Sequence, residues 1–421
     1  MLDTIFGTHF KSSKALTSVS VEAVNRSPQR EAMCRRPIMH PEMETLRCAI
    51  VRGGTSKGVF IMMNEYPKDP AKRDAAILAV YGSPDLRQID GLGGADVLTS
   101  KHAIISRSSR PDADVDYTFA QVSFESAFVD YGGNCGNISS AVGPFAIDEE
   151  AVEPITTTVR IRMTNSDKIL VAEVPVKGGK AMVDGDFAID GVPGTGAKTA
   201  MDWSDVVGSI TGKLLPTGNA KDAIEVDGVK YTASIVDAGN PVVFVHAASL
   251  HMKGTESPNE IESDKPLMET IEKIRGHAAV MCRMIEKPEN AKTISPYVPF
   301  FFVVSPPADY KTINGTIVKA EKIDVVALAP CSCSRRTRRS KSAAVSAPAL
   351  PHVCPAPSWA TCSGKRPGHD RRSTSATQAV PSQWRPKPKR LTGSEDKTPP
   401  RIPHGASDHG RYAYVRKAVF K

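Results

Sequence analysis

Apolar and polar residues alternate along Leu46-Arg47-Cys48-Ala49-Ile50-Val51, break at Arg52-Gly53-Gly54-Thr55-Ser56-Lys57-Gly58, and resume in Val59-Phe60-Ile61-Met62-Met63. A short period on both sides of a glycine pair predicts strand, tight turn and strand. The period then lengthens. Over 69–83 the apolar residues recur at helical spacing, with Asp69-Pro70 at the start and Gly82 at the end, so a helix is predicted there. A glycine-rich stretch follows at 90–96, then strand-like runs at 101–106, 116–124 and 127–131. Gly132-Gly133-Asn134-Cys135-Gly136-Asn137 opens a helix of small residues running from Ile138 to Phe145, and strands dominate again over 155–190.

The second half echoes the first. Lys230-Tyr231-Thr232-Ala233-Ser234-Ile235-Val236, the turn Asp237-Ala238-Gly239-Asn240-Pro241 and Val242-Val243-Phe244-Val245 repeat the strand, glycine turn and strand. A helix over 265–287 and a strand over 299–305 come next. The recurrence points to an internal duplication. Strands outnumber helices and do not alternate with them, which excludes a doubly wound parallel sheet.

Near Ala329-Pro330 the pattern stops. Of the 32 prolines, 11 lie in 331–421, and Ser, Arg and Pro dominate up to 410. Such a segment buries too little apolar surface to offset chain entropy, so disorder is expected for 328–410. A strand-like segment returns in 411–421. Charge follows the same boundary: 331–421 carries 19 Lys/Arg and 4 Asp/Glu, whereas 1–330 carries 35 and 42. The net charge of +8 therefore belongs to the tail, and the rest of the chain gives no nucleic-acid signature. No stretch of 18 apolar residues predicts a membrane span. Residues 1–44 have no apolar core of a secretory signal and read as a disordered extension of a cytoplasmic protein, a mitochondrial presequence being the less favoured alternative.

The candidate chemistry is sparse. Cys34, Cys48, Cys135 and Cys282 are scattered without paired spacing, which fits reduced thiols rather than zinc or disulfides. No metal-binding motif occurs, and neither GGTSKG at 53–58 nor GLGG at 91–94 completes a nucleotide loop. Cys135 stands where a helix begins, between Asn134 and Gly136, and a thiolate is stabilised there. A buried free cysteine is the bland alternative. Lys101 follows Thr99-Ser100 after the glycine stretch, where backbone N–H groups can hold carboxylates, although a lone lysine after a loop is usually a solvated charge.

Together RGGTSKG at 52–58, QIDGLGGADVLTSK at 88–101, VDYGGNCGN at 129–137, GKLLPTGN at 212–219 and VDAGNPVVFV at 236–245 resemble the PrpF family, within the diaminopimelate epimerase-like superfamily. The likeness spans roughly 46–327. Among members, the chain looks most like the fungal aconitate Δ-isomerases of itaconate biosynthesis. The resemblance implies an α+β fold of two tandem domains, 45–205 and 206–327, each a bent, mostly antiparallel sheet around a central helix, with the active site in the cleft between them. It implies cofactor-independent isomerisation of a small unsaturated tricarboxylate, cis-aconitate to trans-aconitate, with 2-methylaconitate or another PrpF-type substrate as the alternative. Lys101 and Cys135 match the family's acid/base pair. Arg52, Gly54, Thr55, Ser56, Lys57, Ser100, Asn134, Gly136, Asn137 and Asn240 match positions that bind substrate. No metal, membrane or nucleic-acid partner is implied, and a homodimer is compatible. One departure stands out: past Ile323-Asp324-Val325-Val326-Ala327 relatives continue into the second domain's central helix, and here the Ser/Arg/Pro-rich segment replaces it. A frame change over 328–410 accounts for that switch. A genuine tail would leave the second domain without its core helix, as in a non-catalytic paralogue.

Overall fold

The computed structural model describes residues 41–152, 157–189, 192–312, 315, 317–330 and 411–420. Of the extension expected over 1–44 and the segment expected over 328–410, with its reading as a frame change, residues 1–40 and 331–410 lie outside these residues; the expected edges are corrected, because Met43 and Glu44 already belong to a strand and so does Leu328.

Strand β1 (Met43–Gly53) and β2 (Ser56–Met62) form a hairpin whose two-residue turn is Gly54-Thr55. Gly54 has φ of +53°, which L side chains rarely adopt. Helix α1 (Pro70–Tyr81) follows, with Asp69 accepting from Ala71 N at 2.9 Å and Gly82 left-handed at its end, the start and stop that the sequence carries. Strands β3 (Lys101–Arg107), β4 (Val115–Val122) and β5 (Val129–Asp130) come next. The single helix expected from Ile138 to Phe145 is instead two pieces, α2 (Gly136–Ser139) and α3 (Val142–Asp148). Pro144 has no N–H to give to Ser140 O, and the hydroxyl of Ser140 donates to Asn137 O at 2.7 Å, so the helical ladder breaks there. Strands β6 (Thr158–Met163), β7 (Lys168–Glu173) and β8 (Ala200–Asp202) complete the region in the order β8-β7-β6-β4-β3-β2-β1, with β5 also on β4. All pairings are antiparallel except β2 with β3 and β4 with β6. The rest of the strand-like run up to 190 gives only short two-residue ribbons, such as Val176–Lys177 with Lys180–Ala181.

Period-two alternation divides the core. Phe60, Tyr117, Phe119 and Ile161 face α2 and α3, whereas Val59, Ile61 and Ile104 face Ile77 and Tyr81 of α1. Helices cover both faces, so the central strands are apolar almost throughout. Each fully buried Ile or Phe contributes about 1.5–3 kcal/mol.

A second sheet holds β9 (Asp222–Val226), β10 (Val229–Asp237), β11 (Pro241–His246), β12 (Phe300–Ser305) and β13 (Val326–Leu328), in that order. Between β11 and β12 lies α4 (Lys265–Met281), shorter than the helix expected over 265–287. Arg283 takes a left-handed φ of +58° and closes it, with Met284 N donating to Ala279 O at 3.0 Å. The order of pairings repeats the first sheet: an antiparallel hairpin, a helix, a strand parallel to the hairpin's second strand, and an antiparallel strand after it. Helix α4 covers Ile235, Val243 and Phe301 on one face. On the other, Val236, Phe244, Val304, Val325 and Ala327 form a cluster to which no helix contributes among the described residues. The last strand, β14 (Arg411–Arg416), pairs antiparallel with β1 and ends the first sheet. No helix among the described residues is long and apolar enough to cross a membrane. The fold is mixed α+β, with several mostly antiparallel sheets and few helices.

His102 on β3 points away from Lys101, into the α1 side. It is fully buried, its Nε2 lies 2.8 Å from the Tyr66 hydroxyl, and Tyr66 and Tyr81 meet its ring edge-on. Burial, with Arg73 adding, lowers its pKa to about 3. The unfolded chain then binds more protons than the folded one between about pH 6.5 and pH 3, so stability falls as pH drops through that window. We predict a loss of about 2 kcal/mol from pH 7 to pH 5 assigned to this residue. Urea midpoints of the wild type and His102→Asn across that range check it, and parallel pH profiles for the two would contradict it.

Candidate active site

The candidate residues other than Asn240 belong to the first sheet, the loops at its end and the start of α2. Arg52, Gly54, Thr55, Ser56 and Lys57 belong to the β1–β2 turn. Beneath it lie Gly136 and Asn137 at the start of α2. A Cβ on Gly53 would collide with Asn137 O, and Thr55 N donates to Asn137 Oδ1 at 3.4 Å. Arg52 donates from Nη1 to Gly54 O at 2.5 Å, and burial lowers its pKa. The turn therefore carries cations over a glycine-lined helix start.

Lys101 begins β3, next to Gly58 of β2 and opposite Gln121 of β4. Its Nζ donates to Gln121 Oε1 at 2.9 Å and lies 5.4 Å from the centre of the Phe119 ring. From below, the Tyr81 hydroxyl accepts from Val59 N at 3.0 Å and donates to Lys101 O, which fixes the strand end. Ser100, fully buried, donates to Gln88 Oε1 at 2.7 Å. In the next row Gln121 pairs with Asp130 of β5, whose carboxyl burial raises in pKa against the Gly132 N–H that holds it. Gln88, Gln121 and Asp130 were missed in the sequence. Asp130 and Gln88 sit inside the motifs at 129–137 and 88–101, which was a signal for both; Gln121 carries none.

Cys135 caps α2 and is 8% exposed, in the same apolar cluster as Phe119. Because α2 is one turn long, its macrodipole is small. What it offers an anion is the free N–H groups of that first turn. The Tyr117 hydroxyl, held protonated by burial and next by Cys135, has no hydrogen-bond partner among the described residues. Neither have Ser56 Oγ and Asn134 Oδ1. Each such buried polar atom costs about 1–3 kcal/mol when left dry.

Asn134 and Asn240 meet across the two sheets. Asn134 N donates to Asn240 Oδ1 at 2.8 Å, and Asn240 Nδ2 donates to Asn134 O at 2.9 Å. Asn134 Nδ2 donates to Gly239 O at 2.9 Å. The Asn240 amide is thus spent on the backbone beside Cys135. Val298 comes close to the same loop, 3.3 Å from where a Cβ on Gly133 would lie. The turn, the Lys101 amine and the N–H groups at the α2 start each offer a donor that an anion can use.

Residues 43–355 match the family model described as PrpF protein. The 3-methylitaconate isomerase of Eubacterium barkeri is 51% identical over 283 residues, covering 66% of this chain and 74% of that protein. The 2-methyl-aconitate isomerase of Shewanella oneidensis is 37% identical over 305 residues, covering 68% and 76%. A crystal structure of a methylitaconate-delta-isomerase superposes with a TM-score of 0.57 at 48% identity, covering 69% of this chain and 76% of that one. The chain belongs to the PrpF family and is an isomerase.

Proposed function

We propose that this isomerase moves an allylic proton in an unsaturated tricarboxylate without a cofactor, converting cis-aconitate to trans-aconitate in the cytoplasm, as in itaconate biosynthesis. The observation that carries the reading is the Lys101 amine, free of any ion pair among the described residues, at the same strand end as Cys135 and the Arg52–Lys57 turn. The substrate carries three carboxylates. Arg52, Lys57 and the N–H groups of Gly54, Thr55, Gly136 and Asn137 supply charge and donors for them. Ser56 and Asn134 bring the unpartnered atoms.

One C–H bond breaks at the methylene carbon, and the electron pair delocalises into the neighbouring alkene and carboxylate. One C–H bond then forms at the former vinylic carbon, so the double bond shifts and no net proton is consumed. Lys101 takes the proton in this scheme. Cys135 polarises the carboxylate or serves the second carbon. Developing enolate charge is met by fixed donors, the usual largest electrostatic contribution. The repeated order of pairings in the two sheets supports two tandem domains, about 45–205 and 206–327, with substrate between them.

Names of relatives favour a second reading, in which a methyl-bearing substrate such as 2-methylaconitate replaces cis-aconitate. Proton NMR of the full chain with each acid in D2O separates them. The first reading expects trans-aconitate with one deuteron incorporated. Turnover of the methylated acid alone would move the assignment, and no turnover of either would support a non-catalytic paralogue.

A further inference from the structure

The amine of Lys101 is held by a side-chain amide, that of Gln121. Gln121 is 5% exposed and stands directly opposite Lys101. Its orientation is fixed: Nε2 donates to Ser100 O at 3.0 Å, an oxygen that also accepts from Val122 N at 3.0 Å. Ser100 O can only accept, so the amide cannot turn over, and Oε1 is left to face Lys101 Nζ. Ser100 is itself anchored through its hydroxyl on Gln88. Every atom behind the amine is therefore set by the strand ladder.

A glutamate in this place would keep an acceptor for the amine and add a negative charge beside it, while its second oxygen would face Ser100 O without a proton to give. An opposite charge so close holds the proton on a lysine. The amide aims the amine and adds no such charge. Phe119, two residues before Gln121 on β4, adds only a ring face. None of the ion pairs among the described residues involves Lys101. The titratable groups on the elements around it include Lys57 on β2, Asp116 and Tyr117 on β4, Asp130 on β5, Asp96 in the loop leading to β3, Arg107 at the far end of β3, Cys135 at the α2 start, and Tyr81 and His102 on the opposite face.

We infer that Gln121 is a positioning residue of the isomerase site, which aims the Lys101 amine through a neutral hydrogen bond and so leaves it able to exchange its proton and to meet substrate carboxylates. The inference rests on Lys101 as the proton carrier of the proposed reaction. Two variants of the full chain test it, Gln121→Glu and Gln121→Met. The first readout needs no substrate: trace acetic anhydride labels Lys101 at a series of pH values, and peptide mass spectrometry follows the extent. Gln121→Glu is expected to move the labelling midpoint up by one pH unit or more, and Gln121→Met is not expected to move it up. The second readout is turnover of cis-aconitate. The rising limb of kcat/KM against pH is expected to move up with Gln121→Glu. Gln121→Met is expected to lower kcat about tenfold with KM within threefold, as loss of aim does. Equal labelling midpoints in wild type and Gln121→Glu would overturn the inference. Should Gln121→Glu fail to fold, an unchanged kcat in Gln121→Met would do so. A wild type that turns over nothing defeats the substrate reading alone, because the labelling curves still decide the role of Gln121.

Discussion

Replacing Lys101 by Ala is expected to lower kcat by about 10²–10⁴-fold, the usual contribution of a positioned acid or base. Stability should change little by comparison. Lys101 is part-exposed at a strand end, and its removal frees only Gln121 Oε1, a loss of about 1 kcal/mol. Lys101→Arg separates two roles. It keeps the cation for substrate carboxylates but cannot lose its proton, so KM should survive while kcat falls with the alanine variant. Cys135→Ala removes a thiol that is 8% exposed and is expected to act on the same step. If the two groups serve one proton path, the double variant costs little more than either single one. Steady-state NMR rates on the four proteins check this, and a Lys101→Ala enzyme within tenfold of wild type would remove Lys101 from the reaction.

Much of the architecture lies in local pattern. The β1–β2 hairpin, the start and stop of α1 and the glycine-flanked Cys135 are written in residues a few positions apart, and local chemistry decides them. What fails locally fails for identifiable reasons. Pro144 and the hydroxyls of Ser139 and Ser140 sit inside an otherwise helical run and divide it. α4 ends at Met281 because Arg283, not a glycine, goes left-handed, and nothing in the composition announces that.

The site divides along the same line. Arg52, Gly54, Lys57, Ser100, Lys101 and Cys135 are conspicuous because glycines surround them. Gln121 looks like any strand glutamine, and only register places it against Lys101. Asn240 shows the reverse problem. Its motif suggests contact with substrate, whereas its amide is bonded to the backbone of Asn134, 106 positions away. A long-range partner of that kind has no signature in one sequence.

Arg275→Met is expected to destabilise the fold by about 3–5 kcal/mol, the usual consequence of leaving one charge of a buried pair alone. Arg275 and Glu272 are both buried on α4 and bonded twice, Nε to Oε2 at 2.9 Å and Nη2 to Oε1 at 2.6 Å. The third nitrogen, Nη1, donates to Ser295 O at 2.7 Å and Val298 O at 3.2 Å. Without the guanidinium, Glu272 keeps a buried charge with no counter-ion and Ser295 O loses that donor. Val298 O retains the Ser295 hydroxyl at 2.5 Å, so the segment loosens rather than collapses. Removing both charges in Glu272→Met/Arg275→Met should recover part of the loss, because no lone charge remains, and the cycle gives the coupling directly. Urea midpoints at constant slope measure it. A functional consequence follows from Val298, which leans on the glycine loop ahead of Cys135. At a temperature where Arg275→Met is still folded, kcat should fall while the double variant, with its calmer interior, falls less. A single variant within 1 kcal/mol of wild type would mean that the helix does not hold this segment.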